Sequence, residues 1–391
     1  MINRERMTEH VMELIRIDSP SKREKDVAIR LEKEMKELGA ECFYDDAGDK
    51  VNGNVGNLLV KLEGNTRGTL PFFLSAHMDT VGPGEDIRPR IADGLIKSDG
   101  TTILGSDDKS GVAVIVEVLR TLKEKNLPHS DIEVAFTICE EIGLLGAKFI
   151  DISKFDSRHG IVLDSSSPSR LVLKCPSAVK LEFSVHGLEA HAGVCPENGL
   201  SAIKIACEAI SQMKLGRIDE ITTANIGIIK GGRATNIIPN LVRVVGEARS
   251  HSDEALKAQV DHMRKCFHDT VSKYEVTIHD DLSLEGTTRF ATLEERIERS
   301  YDRMDVSPES IPAHLVETAV GNLGYDIMRH TSGGGCDANY FNKMGIQCVN
   351  LGTGMYDLHT VNEYLVLEEF YRCAEIVLES IKLNVSGPLK A

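Results

Sequence analysis

Residues 104–141 read LGSDDKSGVAVIVEVLRTLKEKNLPHSDIEVAFTICEE and contain one helical pattern followed by one strand pattern. Apolar residues recur at helical spacing from Ser110 to Lys123, and Ile132 to Ile138 is a short run rich in apolar and β-branched residues. The strand pattern runs directly into the acidic pair Glu140 and Glu141. This stretch therefore predicts a helix, a buried strand and carboxylates at the strand's carboxyl end.

The same alternation extends outward from about Asn3 to Pro176. A helix is predicted for Arg23 to Leu38, and strands for Asn57 to Leu62, Phe72 to Ser75 and Gly160 to Leu163. Alternating strands and helices indicate an α/β sheet covered by helices on both faces. The strand ends read SAHMD, TICEE and VLDSS, and ligands of open α/β sheets usually bind at that edge.

The middle of the chain has a different order, which is β, α, β, β, α, β and suits a small ferredoxin-like sandwich. Its predicted elements are Val179 to Val185, Leu200 to Met213, Thr223 to Ile229, Val242 to Glu247, Glu254 to Tyr274 and Val276 to His279. The first pattern then resumes with a helix near Pro312 to Leu323 and a closing helix from Leu367 to Leu383. We therefore predict a first catalytic segment at 1–176, an inserted domain at 177–287 and a second catalytic segment at 288–391.

Composition narrows the classes of function. A net charge of −15 over 391 residues disfavours nucleic acid and anionic membranes as partners, because Lys and Arg hold such partners through their phosphates. The 9 cysteines show no C-x-x-C spacing and are predicted to be reduced thiols. The amino terminus lacks a signal-peptide pattern, and no apolar run is long enough to span a membrane, so a cytoplasmic location is expected.

Five candidate metal ligands lie in separate motifs, and none is diagnostic alone. A His-x-Asp motif is common in cores and on surfaces, and paired carboxylates often begin a helix. The ligands are His77 in SAHMDTV, Asp107 in LGSDDKSG, Glu141 in TICEEIGLLGAK, Asp164 in VLDSS and His359 in LHTVNEYL. Their ordered set resembles the M20 family of metallopeptidases, most closely its peptidase T branch, over nearly the whole chain.

The resemblance implies a zinc-peptidase-like α/β catalytic domain with an inserted ferredoxin-like α+β domain that acts as a lid and a dimerisation domain. It also implies two divalent ions, one held by His77 and Asp164, the other by Glu141 and His359, with Asp107 bridging both. The chemistry of the residues agrees, because imidazole and carboxylate ligands without thiolates suit Zn²⁺, and Co²⁺ or Mn²⁺ would also bind. Room is left for a bridging water, as a catalytic site requires.

Two acidic residues are predicted to act without binding metal. Asp79 is expected to accept a hydrogen bond from the second ring nitrogen of His77 and so to fix its tautomer. Glu140 is the candidate general base, which takes a proton from the attacking water and returns it to the leaving amine. A solvated surface carboxylate is the competing explanation for Glu140.

Three residues of the inserted domain resemble substrate contacts of the family: His191 in HGLEAHAGVCPENG, Asn236 in GGRATNIIPN and Arg249 in GEARS. In family dimers the lid histidine reaches the partner's active site, where it could stabilise an oxyanion. Arg249 could hold a substrate carboxylate with two hydrogen bonds. A loop histidine, a turn asparagine and a strand-end ion pair are the simpler interpretations.

Some features depart from peptidase T and leave the substrate open. Ile138 and Cys139 stand where the family has Pro-Asp, three serines follow Asp164, and the AHAG motif resembles carboxypeptidases and amidohydrolases. The predicted substrate is a small peptide or an acyl-amino acid. A dipeptidase, a carboxypeptidase or an N-acyl-amino-acid deacylase remains an alternative, and a two-metal phosphoesterase or a non-catalytic metal-binding protein are alternatives from other classes.

Overall fold

A computed structural model describes residues 2–279 and 286–386 of the chain. These residues form two compact units. Among the described residues, unit 1 comprises 2–175 and 304–386, and unit 2 comprises 176–279 and 286–303. Unit 2 is thus inserted in the sequence of unit 1.

The carboxyl end of unit 2 lies beyond the predicted boundary at residue 287. Strand Thr292–Tyr301 pairs antiparallel with strand Ser177–His186 along its whole length, from Thr292 opposite His186 to Tyr301 opposite Ala178. Residues 288–303 therefore belong to unit 2 and not to the second catalytic segment. The sequence interpretation missed this strand because its alternating charged residues show no apolar run.

Unit 1 is built on a mixed sheet, which agrees with the predicted α/β class. Its strands in spatial order are Glu41–Tyr44, Leu58–Leu62, Ile132–Thr137, Phe72–His77, His159–Val162, Gln347–Leu351, Arg170–Cys175 and Met304–Asp305, with Met328–Thr331 also paired to Arg170–Cys175. The central strands Ile132–Thr137, Phe72–His77 and His159–Val162 are parallel neighbours. Every residue of these three strands is buried, so both faces of the sheet are covered.

The helices of unit 1 pack around this sheet. They are Arg4–Ile15, Lys25–Glu37, Ala47–Val51, Ser106–Glu124, Leu145–Phe149, Ile311–Asn322, Ala338–Lys343 and Leu367–Ser386, with a 3₁₀ turn at Ile152–Lys154. Helix Ser106–Glu124 is buried over most of its length, from Ser106 to Leu122. Its valines and Ile115 stay in a helix because tertiary burial outweighs their modest helix propensity.

A second, small sheet in unit 1 joins distant parts of the chain. Its strands in order are Met355–Tyr356, Tyr364–Val366, Leu95–Lys97 and Arg90–Ala92. Tyr364–Val366 pairs antiparallel with Leu95–Lys97, so the segment after His359 is anchored beside the segment before Asp107. This sheet was not predicted.

Unit 2 has a five-stranded antiparallel sheet in the order Gly216–Arg217, Thr222–Gly231, Leu241–Ser250, Ser177–His186 and Thr292–Tyr301. Helices Ala202–Ser211 and Asp253–Val271 pack on it, and Phe183 stacks on Phe267 with ring centroids 4.1 Å apart. The predicted last strand, Val276 to His279, lies instead in the hairpin Glu275–His279 with Gly286–Phe290. Thr292–Tyr301 takes its place and completes the ferredoxin-like strand order.

Two further expectations concern the state of the cysteines and the presence of membrane-spanning helices. All the cysteines are free thiols, and most are buried. Among residues 2–279 and 286–386, no helix is both long and apolar enough to cross a membrane.

Candidate active site

The carboxyl ends of the three central strands bring acidic groups and one imidazole together. His77 is the last residue of strand Phe72–His77 and lies opposite Thr137, the last residue of the neighbouring strand. Glu140 and Glu141 follow that neighbour, and Asp164 follows strand His159–Val162 on the other side. Because parallel strands end at the same edge, these side chains come from one edge of the sheet.

Asp107 lies between two imidazoles. Its Oδ1 is 3.2 Å from Nε2 of His77, and its Oδ2 is 3.2 Å from Nε2 of His359. The same His359 nitrogen is 3.1 Å from Oε2 of Glu141. The structure therefore brings together four of the five predicted ligands by direct contact, although Asp107 and His359 are far apart in sequence.

Asp164, the fifth predicted ligand, is half-buried and lies close enough to Asp107 to feel its charge. Burial and the negative charge of Asp107 raise the pKa of Asp164 well above its usual range. Asn350 fixes its backbone, because Nδ2 of Asn350 donates to the Asp164 carbonyl at 2.5 Å and Oδ1 accepts from its N–H at 2.9 Å. Asn350 was not predicted as part of the site.

The cluster carries excess negative charge in a buried setting. Burial, followed by the charge of Asp164, raises the pKa of Glu140, and burial raises the pKa of Glu141. Burial alone would lower the pKa of His77, but hydrogen bonds to Asp107 and Asp79 raise it well above its usual range. Contacts with Asp107 and then Glu141 raise the pKa of His359 to about 10. Such a cluster favours cations.

The donor set also fits a metal ion. One ligand atom from each of His77, Asp107 and Glu141 lies within 4.8 Å of the others. The Oε1 atom of Glu141 is buried and has no hydrogen-bond partner among the described residues. Burying a carboxylate oxygen without a partner costs free energy, so a cation is expected to contact this atom. Imidazole nitrogen and carboxylate oxygen are ligands typical of Zn²⁺ and related ions.

Asp79 contacts the second ring nitrogen of His77, and its backbone oxygen lies closer to that nitrogen than its carboxylate does. The Nδ1 atom of His77 is 2.9 Å from the backbone carbonyl oxygen of Asp79 and 3.4 Å from its carboxylate, so the shorter contact is to the main chain. The carboxylate also accepts from the N–H groups of Glu140 at 2.9 Å and Glu141 at 3.3 Å, and from Oγ of Ser21 at 2.6 Å. Asp79 thus orients His77 with its backbone and the glutamate pair with its side chain.

Two buried acids near the cluster were missed by the sequence interpretation. Asp337 lies in the SGGGCD turn, and its carboxylate accepts a hydrogen bond from Oγ1 of Thr137. Burial raises the pKa of Asp337 to about 6. Glu363 follows His359 by four residues and is 1% exposed. Glu363 lies in the LHTVNEYL motif quoted above for His359, so that motif was the available signal for it.

The three predicted substrate contacts lie in unit 2. His191 forms an isolated β-bridge with Ile237, and the carbonyl of Asn236 accepts from the N–H of Ala192 at 2.9 Å, so the two loops are adjacent. His191 and Asn236 are exposed. Arg249 lies within strand Leu241–Ser250 and forms two hydrogen bonds with Glu247, at 3.0 and 3.1 Å. Their contacts with substrate stay predictions.

Comparison with known proteins identifies the family. The sequence model of peptidase family M20/M25/M40 matches residues 73–383, and this range includes all the candidate metal ligands. The chain belongs to this family. It is a peptide-bond hydrolase of the peptidase T-like group, as the motifs predicted.

Several relatives match this chain over nearly its full length and over nearly their own full length. An uncharacterized protein, YqjE of Bacillus subtilis, is 38% identical and covers 98% of this chain and 99% of its own length. The aminopeptidase PepT of Bacillus cereus is 40% identical with a TM-score of 0.83, covering 99% of this chain and all of its own. A tripeptidase of Staphylococcus aureus is 36% identical with a TM-score of 0.89 and the same coverage.

Proposed function

We propose that this M20 chain is an aminopeptidase or tripeptidase that cleaves short peptides with the help of two divalent metal ions. The observation that carries the proposal is Asp107, whose two carboxylate oxygens each lie 3.2 Å from a different imidazole. A carboxylate in this arrangement can serve two ions at once. Support for short peptides comes from the aminopeptidase and the tripeptidase among its full-length relatives.

The proposed ligands divide between two ions. His77 and Asp164 would hold one ion, Glu141 and His359 the other, and Asp107 would contact both. This division is supported by the separate contacts of Asp107 with His77 and His359, and by the contact of His359 with Glu141. Zn²⁺ suits these atoms best, although Co²⁺ or Mn²⁺ would also bind. Bound ions would polarise the scissile carbonyl and make water more acidic.

Glu140 is the proposed general base. It accepts the proton that the attacking water loses and delivers it to the nitrogen of the departing amine. Its backbone N–H is held by Asp79, so the side chain starts from a fixed position. Burial raises its pKa, and a carboxyl group with a raised pKa suits a residue that must hold a proton between these two steps.

Unit 2 is the proposed lid and dimerisation domain. Strand Thr222–Gly231 pairs with Gly216–Arg217 only at Thr223 and Ala224, so most of its outer edge has no partner strand among the described residues. Ile228 and Ile229 on this strand are 44% and 49% exposed. Open edges of this kind are usually covered, and a second copy of the chain would cover this one. The active form would then be a homodimer.

Metal analysis and a substrate panel test the proposal together. We expect chelator-treated protein to be inactive and to regain full activity at two equivalents of Zn²⁺ per chain. A free tripeptide should be cleaved fastest, and acetylation of its amino terminus should abolish cleavage. Full activity with one tightly bound ion would contradict the two-ion site. Preference for an N-acyl-amino acid would indicate a deacylase, and release of the carboxyl-terminal residue would indicate a carboxypeptidase.

A further inference from the structure

Glu363 is a buried carboxylate whose hydrogen bonds all go to the segment that carries Asp107. Its Oε2 accepts from the N–H groups of Leu104 and Gly105, both at 2.9 Å. Its Oε1 accepts from Ser106, at 2.7 Å from N–H and 2.6 Å from Oγ, and from the N–H of Asp107 at 3.2 Å. The side chain is 1% exposed, so water does not compete for these donors.

The segment that Glu363 binds begins helix Ser106–Glu124. The first N–H groups of a helix have no partner within the helix, and converging N–H groups form a binding site for an anion. Here Gly105 has a left-handed φ of 72°, and Asp107 has non-helical angles, so the segment does not follow regular helical geometry. The Glu363 carboxylate therefore supplies the partner that determines the path of the chain at Asp107.

Glu363 is also tied to His359. His359 has a left-handed φ of 61°, and the turn after it is closed by the N–H of Glu363, which donates to the carbonyl of Thr360 at 3.1 Å. Strand Tyr364–Val366 begins at the next residue and pairs with Leu95–Lys97. One residue thus joins two segments that are 256 positions apart in sequence, one bearing Asp107 and the other His359.

We propose that Glu363 is a positioning residue that sets the distance between Asp107 and His359 and thereby the affinity of the chain for its metal ions. The inference rests on the proposed two-ion function. Glu363 touches neither substrate nor ion in this proposal and acts through the two side chains that it aligns. Groups that orient metal ligands typically change metal affinity by about 10- to 100-fold when they are replaced.

Glu363→Gln tests this proposal, because the amide keeps the shape of the side chain but replaces an acceptor with a donor facing backbone N–H groups. The matched control is Glu133→Gln. Glu133 is 2% exposed and accepts from the N–H groups of Asp156 at 2.9 Å and Ser157 at 2.8 Å, away from the cluster. Both variants lose a buried carboxylate that accepts from backbone N–H groups, and Glu133 also pairs with Lys61 at 2.9 Å, so the thermal stability of each variant is measured alongside its metal affinity.

The readouts are Zn²⁺ affinity by competition with a chelator, and the visible spectrum of the Co²⁺-loaded protein. We expect Glu363→Gln to weaken binding of at least one ion by about 10- to 100-fold and to alter the Co²⁺ spectrum. Glu133→Gln should keep both at wild-type values, and Glu363→Asp should recover part of the affinity because it restores two acceptor oxygens. At saturating metal, kcat should fall while KM stays close to that of the wild type.

Wild-type Zn²⁺ affinity and an unchanged Co²⁺ spectrum in Glu363→Gln would overturn the inference and leave Glu363 a purely structural residue. If that variant does not fold, Ser106→Ala removes only the hydroxyl donor, and it should weaken Zn²⁺ binding by a few fold; no change there would equally overturn the inference. Failure of the wild-type protein to bind two ions or to cleave peptides would instead contradict the proposed function, so the two failures are distinguishable.

Discussion

Most candidate functional side chains of unit 1 are buried or half-buried, whereas two of the three in unit 2 are exposed. In unit 1, His77, Asp107 and Glu140 are less than 9% exposed; His77 contacts Asp107, the N–H of Glu140 donates to Asp79, and His359 alone among the candidate ligands is exposed. In unit 2, His191 and Asn236 are exposed on loops. Buried, paired groups are held before any ligand arrives, whereas exposed groups acquire a role only when a substrate or a partner reaches them.

This difference suggests that the chemistry of the chain resides in unit 1 and its selectivity in unit 2. Changes in unit 1 should therefore reduce turnover for every substrate. Changes in unit 2 should depend on the substrate or on the partner subunit. The following predictions test this division.

The largest effect is expected for Glu140→Gln in unit 1. Removing the proton acceptor should lower kcat by about 10²- to 10⁴-fold for every peptide, while both metal ions remain bound. Steady-state kinetics and metal analysis of the same preparation check this. Loss of an ion along with the activity would instead make Glu140 a ligand and would change the assignment of the site.

A smaller effect is expected for His191→Ala in unit 2, because the loss of one donor to an oxyanion costs about 10²- to 10³-fold in kcat. If His191 acts on the partner subunit, mixing this variant with Glu140→Gln should restore activity through heterodimers that contain one complete site. Activity that stays at the level of the separate variants would place His191 outside the partner's site. Light scattering should show dimers in all samples, and an active monomer would contradict the proposed assembly.

An effect of about 10-fold is expected for Arg249→Ala with a free tripeptide, because a guanidinium that binds a carboxylate through two hydrogen bonds is lost. The same variant should show little further loss with the C-terminally amidated peptide. The matched control is Arg243→Ala, since Arg243 lies on the same strand and also pairs with a glutamate, Glu182. Equal impairment on both peptides would make Arg249 structural.

The smallest effect concerns the stability of unit 1. Burial lowers the pKa of His159, whose ring lies 5.6 Å from that of Phe72 and whose Nε2 is 2.8 Å from Oδ1 of Asn384. The neutral ring therefore stabilises the fold above the unfolded pKa of about 6.5, and this contribution is lost as the pH falls through the lower folded pKa.

His159→Gln removes this titration and should cost about 1 kcal/mol at pH 7.5 through the lost ring contact. The difference in unfolding free energy between His159→Gln and the wild type should become smaller as the pH falls from 7.5 to 5.0. Urea unfolding of both proteins in chelator measures this, because protonation of the metal ligands then contributes equally to each. A constant difference across this range would show that His159 does not titrate in the folded chain.

Much of the catalytic half could be predicted from local patterns. The apolar runs before His77, Glu140 and Asp164 indicated strands that end in polar groups, and the structure places these strands side by side. The boundary of unit 2 could not be predicted in this way. Strand Thr292–Tyr301 has exposed or half-buried residues at almost every position, so its sequence lacks the apolar periodicity that marks a strand.

The sequence by itself determined the α/β class, the inserted domain, the family and the order of the candidate ligands, because strand and helix periodicity and short motifs are local properties of the chain. Only the tertiary structure decided that the Asp79 carboxylate binds the backbone of Glu140 and that Glu363 binds the backbone at Asp107. These contacts join residues far apart in sequence through backbone N–H groups. Every residue except proline carries such a group, so no sequence pattern distinguishes the ones that will be bound.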